Sequence, residues 1–236
     1  MVSAIKVMTD EPTLKFDENG LKVRTMDPSR VAMIDMEISK SAFEEWTPGG
    51  TPKIGVNLME LEKLLKRSGK DEATTISLDE KTGKLKVAIS GKYSKVFTLP
   101  TLEPSEEEVP TPKLTFNAKF KFITSTLSQV LEDAQLVSDH IKVTTNQDGV
   151  AVNAQGDLMT ANIALDKTNG LLDLEAKEES KATYSLSYLM EMLKTMQALS
   201  DLGEIEYSTD MPMKLTFNKD EVIKIAWYLA PRIETD

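Results

Sequence analysis

Lys63, Lys66 and Lys70 recur at i, i+3 and i+7 with Arg67 beside them, and cations at that spacing fall on one stripe of a helix. The chemistry open to such a stripe is electrostatic: ammonium and guanidinium groups displace counterions from phosphates without reading bases. Leu58, Leu61, Leu64 and Leu65 take the opposite side, giving an apolar back and a basic front. An ordinary solvated face, balanced by Glu60 and Glu62, is the alternative. The second half offers only Lys194 in a comparable place, flanked by Glu191.

Covalent and metal chemistry find little to work with. The lone histidine, His140, has no cysteine or second histidine with which to share a metal and no serine elbow to serve, so a turn or surface role is expected. No phosphate-binding glycine loop occurs, and Asp17-Glu18-Asn19-Gly20 lacks the alternating ligands and distal glutamate of a calcium loop. These absences point to a protein that is not an enzyme and needs no metal or cofactor.

The 236 residues carry a net charge of −10, which as a sum opposes binding to nucleic acid, but what decides is whether the cations share a face. Cysteine is absent, as suits a reducing compartment. No apolar run approaches the roughly 20 residues that span a bilayer, and the N-terminus has no secretory pattern, so a soluble protein with no membrane partner is expected.

These side chains are positioned by a pattern that occurs twice. Leu14-Lys15-Phe16 runs to Asn19-Gly20 with Ile34 fourteen residues beyond, and Ile141-Lys142-Val143 runs to Asp148-Gly149 with Ile163 again fourteen beyond. Both read as hairpins whose Asn-Gly or Asp-Gly supplies two positive φ angles. Each copy continues to a capped helix, with Asn57 and Glu60 forming a capping box in the first and Ser187 the cap in the second, and then to alternating strands. The spacing predicts a strand over 114–121 and a helix over 122–137, with Leu127, Val130, Leu131 and Ala134 inward. Residues 101–113, rich in proline and glutamate, read as a connector between a module at 1–100 and one at 114–236. The class is α+β, with antiparallel sheets carrying helices on one face. Lys113 lies 36 residues before Gly149 while 19 precede Gly20, so the first copy is short by roughly 15 residues: a first strand and part of a helix. Either the chain begins late, through truncation or a mis-set start, or the first module dispenses with an edge strand.

Met26-Asp27-Pro28-Ser29-Arg30-Val31, Gly55-Val56-Asn57-Leu58, Leu136-Val137-Ser138-Asp139, Met211-Pro212-Met213 and Tyr228-Leu229-Ala230-Pro231-Arg232-Ile233-Glu234 closely resemble the proliferating cell nuclear antigen family of DNA sliding clamps, in archaeal style. The resemblance runs from about Ile5 to Glu234. It implies two clamp domains per subunit and a trimeric ring with sheets outside and helices lining the hole, a processivity factor that encircles double-stranded DNA without reading its sequence. Lys6, Lys63, Lys66 and Lys194 match positions facing the duplex; Arg67 and Lys70 extend the set along the helical stripe. The helix over 122–137 departs, with Gln129, Glu132 and Asp133 where basic residues are usual. The resemblance further implies a hydrophobic pocket beneath the connector for DNA polymerase, flap endonuclease and DNA ligase, at Met26, Arg30, Val31, Met33, Val109, Pro212, Tyr228, Leu229, Ala230, Pro231 and Ile233. Glu107 stands where an apolar connector residue is expected, which would reduce the connector's share. Subunits would join by edge strands, Lys95, Val96, Phe97 and Thr98 of one against Met159, Ala161, Ile163 and Leu165 of the next. A clamp loader would open the ring. The setting would be cytoplasmic and nucleoid-associated in an archaeon, nuclear in a eukaryote. A subunit of a heterotrimeric or checkpoint-type clamp, or a monomeric peptide-binding module, are the alternatives.

Overall fold

The computed structural model describes residues 1–50 and 52–233, so Glu234 of the C-terminal motif lies outside the described residues. The chain opens with helix α1 (Val2–Lys6), strands β1 (Thr13–Asp17), β2 (Gly20–Met26) and β3 (Ala32–Ser39), and a single 3-10 turn (Lys40–Ala42). β4 (Lys53–Gly55), helix α2 (Leu58–Leu65), β5 (Ala73–Asp79), β6 (Lys84–Ser90) and β7 (Ser94–Pro100) follow. After the connector come β8 (Ala118–Ile123), α3 (Thr124–Gln135), β9 (His140–Thr145), β10 (Val150–Gln155), β11 (Thr160–Leu165), β12 (Leu171–Ala176) and β13 (Ser180–Ser185). Helix α4 (Leu186–Met196) leads to β14 (Leu202–Tyr207), β15 (Met213–Lys219) and β16 (Ile223–Leu229).

Among the described residues the strands form three antiparallel sheets: β12-β8-β14-β15-β16-β3-β2-β1-β4, β11-β10-β9-β13, and β5-β6-β7. The largest crosses from one half of the chain to the other, because β16 pairs with β3 from Ile223 opposite Ile38 to Leu229 opposite Ala32. Alternation sets the inner face of that seam: Ile34, Met36, Ile225 and Trp227 are buried in the core while Glu37 and Lys224 face out.

The duplication is visible in element order. α1-β1-β2-β3-β4-α2-β5-β6-β7 repeats as α3-β9-β10-β11-β13-α4-β14-β15-β16, and after each final strand the chain makes one bridge to the edge of its own module, Leu102 with Gly55 and Arg232 with Thr183. The second copy adds β8 and β12, which pair with each other and seat β8 against β14. The described residues of the first copy contain no equivalent of either, so β5 has only β6 beside it and Ile76 stands 47% exposed.

Several local expectations change. The strand expected over 114–121 is Ala118–Ile123 and its helix starts at Thr124, since Phe120 and Phe122 are both buried and keep the strand alternation going. Leu127, Val130, Leu131 and Ala134 are inward as expected. In the repeated hairpins the loops are Asx turns: Asp17 Oδ1 accepts from the N–H groups of Asn19 and Gly20, and Asn146 Oδ1 from those of Asp148 and Gly149. The glycines are needed for close approach, because a Cβ on Gly20 would meet Ile38 O at 2.0 Å and one on Gly149 would meet Leu165 O at 2.5 Å. The turn with two positive φ angles lies instead at Asp220 (51°) and Glu221 (56°), between β15 and β16. Asn57 caps α2 by accepting from Glu60 N at 3.0 Å, but Glu60's carboxylate takes Lys63 in place of closing a capping box. Ser187 is not a cap, since α4 begins before it with Ser185 as the flanking residue.

Candidate nucleic-acid interface and partner groove

The helices adjoin in the order α2, α1, α4, α3, forming a row over both halves. Lys63 and Lys66 project from α2, with side chains 64% and 71% exposed. Lys6 ends α1 and Lys194 lies in the last turn of α4. The stripe is shorter than the sequence suggests: α2 stops at Leu65, so Lys66 caps it and Arg67 and Lys70 lie in the turns beyond, off the helical period. α3 exposes Gln129, Glu132 and Asp133.

The cations on this row are tethered by two acids of the same helix. Glu60 binds Lys63 at 2.6 Å, and Glu62 binds both Lys6 at 2.8 Å and Lys66 at 2.9 Å, the balancing of charge that the sequence offered as the alternative. The hydrogen bonds from Lys6 and then Lys66 lower the Glu62 pKa to about 2. Because this folded value lies below the ordinary 4.5, the stabilisation is complete above pH 4.5 and is lost as pH falls toward 2. Glu62→Gln is therefore expected to flatten the acid limb of a urea-midpoint profile across that window, leaving the neutral and alkaline limbs parallel to wild type.

On the opposite, outer face of the large sheet, three of the expected partner-binding residues stand in one row. Met26 of β2 is opposite Met33 of β3, which is opposite Tyr228 of β16, so their side chains share a face. Met33 is 3% exposed yet lies outside the continuous core cluster, being covered on the outer side. Val31 and Ala230 meet at the end of the row, where Ala230 N donates to Val31 O at 2.8 Å. Pro212 sits on a turn fixed by the buried Tyr184, whose hydroxyl donates to Met211 O at 2.7 Å. Pro231 follows at the strand exit, while Ile233 is exposed. Leu229 is placed differently: it alternates inward and belongs to the core.

The connector is strapped over this face. Arg30 binds Glu107 at 2.6 Å, Lys15 and Lys53 bind Glu108 at 3.3 and 3.5 Å, and Arg24 donates to Val109 O at 3.4 Å. Glu107 thus ties the connector to Arg30 through an exposed ion pair. A cavity of about 470 Å³ remains beneath the strap, walled by Met26, Arg24, Arg30, Glu107 and Val109 among others. Its lining is mostly charged, so the apolar row of Met26, Met33 and Tyr228 and the polar cavity under the connector are adjoining surfaces of different character.

The expected junction residues lie on two sheet edges that are open in the chain. Among the described residues β11 pairs only with β10 and β7 only with β6. Val96 (66% exposed), Thr98 and Met159 face solvent, Ala161 and Ile163 are half-buried, and Leu165 is buried. Lys95 does not reach outward, since its ammonium group binds Glu72 at 3.1 Å. His140 opens β9 beside Arg232, whose Nη1 is 3.0 Å from the ring.

Two repeated antiparallel modules fused through one sheet, with their helices in a single row, define a clamp-type fold. Residues 1–100 match the family model for the N-terminal domain of proliferating cell nuclear antigen and residues 110–232 that for its C-terminal domain. The chain is 34% identical over 235 residues to a DNA polymerase sliding clamp of Pyrococcus furiosus and 32% identical to DNA polymerase sliding clamp 1 of Pyrobaculum aerophilum, in each case covering 99% of this chain and 94% of the relative. A PCNA2–PCNA3 complex from Sulfolobus tokodaii contains a chain matched with a TM-score of 0.87 at 31% identity, covering 99% of this chain and 94% of that one. A PCNA from Thermococcus kodakaraensis shares the fold with a TM-score of 0.90 at 24% identity, over 98% of this chain and 94% of its own. The chain belongs to the proliferating cell nuclear antigen family.

Proposed function

We propose that three copies of this chain close into a ring around duplex DNA and act as a non-enzymatic processivity clamp for a DNA polymerase. The supporting observation is the placement of charge: in a chain of net charge −10, Lys6, Lys63, Lys66 and Lys194 project from one row of helices. Cations on a common surface hold phosphates without sequence preference, so such a ring slides, and it is retained by enclosure. We divide the chain into modules at 1–100 and 114–236 joined by the strap at 101–113. Closure pairs the open β7 edge, around Val96 to Thr98, with the open β11 edge of the next copy, around Met159 to Leu165; head-to-tail pairing that closes leaves no exposed strand edge at those joints. Both edges lie on one chain, so three identical copies can close head to tail.

The groove of Met26, Val31, Met33, Pro212, Tyr228, Ala230 and Pro231, with Arg30 and Val109 at the strap, takes a short helical plug from client enzymes such as polymerase, flap endonuclease and ligase. Methionines adapt to varied plugs, while tyrosine and proline give firm walls. A loader would open the ring, and the work would be done wherever the cell keeps its DNA. The test is DNA synthesis by a polymerase of the same organism on a primed circle. Added clamp and loader should lengthen the products, and linearising the template should cancel most of that gain. Equal stimulation on open-ended and circular templates would exclude encirclement.

A further inference from the structure

Asp27 directly follows the last residue of β2, is 5% exposed, and is saturated with donors. Its carboxylate accepts from the backbone N–H groups of Ser29 at 3.0 Å, Val31 at 2.8 Å and Ala32 at 2.6 Å. The remaining donor comes from the other half of the chain: the hydroxyl of Tyr188, in the first turn of α4, at 2.8 Å. Burial pushes the Asp27 pKa up, but the bonds from Ala32, Tyr188, Ser29 and Val31 more than reverse this and hold it below the ordinary value. Burial, then Asp27 itself, raises the Tyr188 phenol. At neutral pH the pair is an anion and a neutral donor, the strong form of a hydrogen bond.

What the pair encloses is the loop from Pro28 to Val31, which forms the lip of the client groove. Arg30 there has φ 57°, in the left-handed region that a residue with a Cβ occupies only where its surroundings over-determine it. Arg30 N donates to Asp27 O at 3.0 Å while its guanidinium binds Glu107 of the connector at 2.6 Å. Val31 in turn offers its carbonyl to Ala230. The carboxylate therefore holds Val31, which joins the two halves of the groove, and brackets Arg30 through the amides of Ser29 and Val31, while the Asp27 carbonyl takes the Arg30 amide itself.

We infer that Tyr188, which lies on the helix row and lines none of the groove, is a positioning residue for client binding: it completes the Asp27 cage that holds Arg30 and Val31 in their binding geometry. The inference rests on the groove reading proposed above. Without the phenol, Asp27 loses one donor from the far half of the chain and the strained Arg30 is released. An incoming peptide must then order the lip itself, at a cost in affinity.

The test uses the full chain and a fluorescein-labelled peptide whose single helical turn presents apolar side chains at i, i+3 and i+4, followed by anisotropy. Tyr188→Phe should weaken binding about tenfold, the worth of one charge-assisted hydrogen bond. Asp27→Asn should also weaken it, and the double variant should be no weaker than Asp27→Asn alone. Thr195→Ala, on the same helix without contact to Asp27, should leave affinity unchanged. Melting temperatures of the variants establish that they are folded, and non-additivity in affinity separates positioning from a general loss of stability. If Tyr188→Phe binds as wild type does, or if the two losses simply multiply, the positioning role is wrong and the groove stands. If wild type itself ignores the peptide, the groove reading fails and takes this inference with it.

Discussion

Reversing Lys63 and Lys66 together to glutamate is expected to abolish the stimulation of DNA synthesis on a primed circle. Each reversal changes the local charge by two, on largely solvent-exposed side chains at the end of α2, so the surface proposed to hold phosphate would repel it. Loss of two phosphate contacts lowers the slope of log affinity against log salt by about 1.8. Repulsion from the new glutamates, which stand beside Glu60 and Glu62, should add to the loss, giving a fall on the order of a hundredfold in retention at low salt. Lys81→Glu, in the β5–β6 turn, is the matched control and should behave as wild type. Full stimulation by the double reversal at every salt concentration would mean that the helix row does not face the duplex.

A second large effect is expected from Ile163→Lys. In the isolated chain Ile163 is half-buried at the rim of β11, so a lysine can extend its ammonium group past the edge at small cost. In the ring proposed above the same position would lie against the β7 edge of the next copy, and neither β7 nor β11 contains an acid. An unpaired charge taken out of water there costs several kcal/mol, enough to shift the association constant by roughly a thousandfold. Light scattering after size exclusion should show wild type as three subunits and the variant as one at micromolar concentration, with circular dichroism spectra that superimpose and a lower melting temperature for the variant, which has lost the stabilisation of assembly. A variant that stays trimeric would put the joint elsewhere.

Local signals carried much of this architecture and failed at identifiable places. Leu127, Val130, Leu131 and Ala134 were legible because a buried helix face repeats at 3.6 residues, and Trp227 because β16 alternates. The turn chemistry was not: Asn19-Gly20 has the composition of a mirror-image turn, yet the Asp17 carboxylate captures the loop amides, and a pair of positive φ angles falls in the β15–β16 hairpin at Asp220-Glu221. Composition there gives no warning, since neither residue is glycine or asparagine. Lys70 was assigned to α2 by period alone, and the helix ends before it. Tyr188 and Asp27 are separated by 161 residues and meet only because the two halves share a sheet, so no pattern within either half reveals their bond. Glu107 shows a further limit: its polarity was legible, but its pairing with Arg30, 77 residues away, was not.

The seam between β16 and β3 bears on how such a ring could ever admit a DNA strand. Every backbone partner along that ladder is supplied within the one chain, from Ile223 against Ile38 to Leu229 against Ala32, with Trp227 and Ile34 locked beneath it. Such a plate flexes as a unit, because parting its midline means unzipping a buried ladder. Prising apart the proposed circle would therefore have to happen where separate molecules abut, with each molecule moving as a single plate.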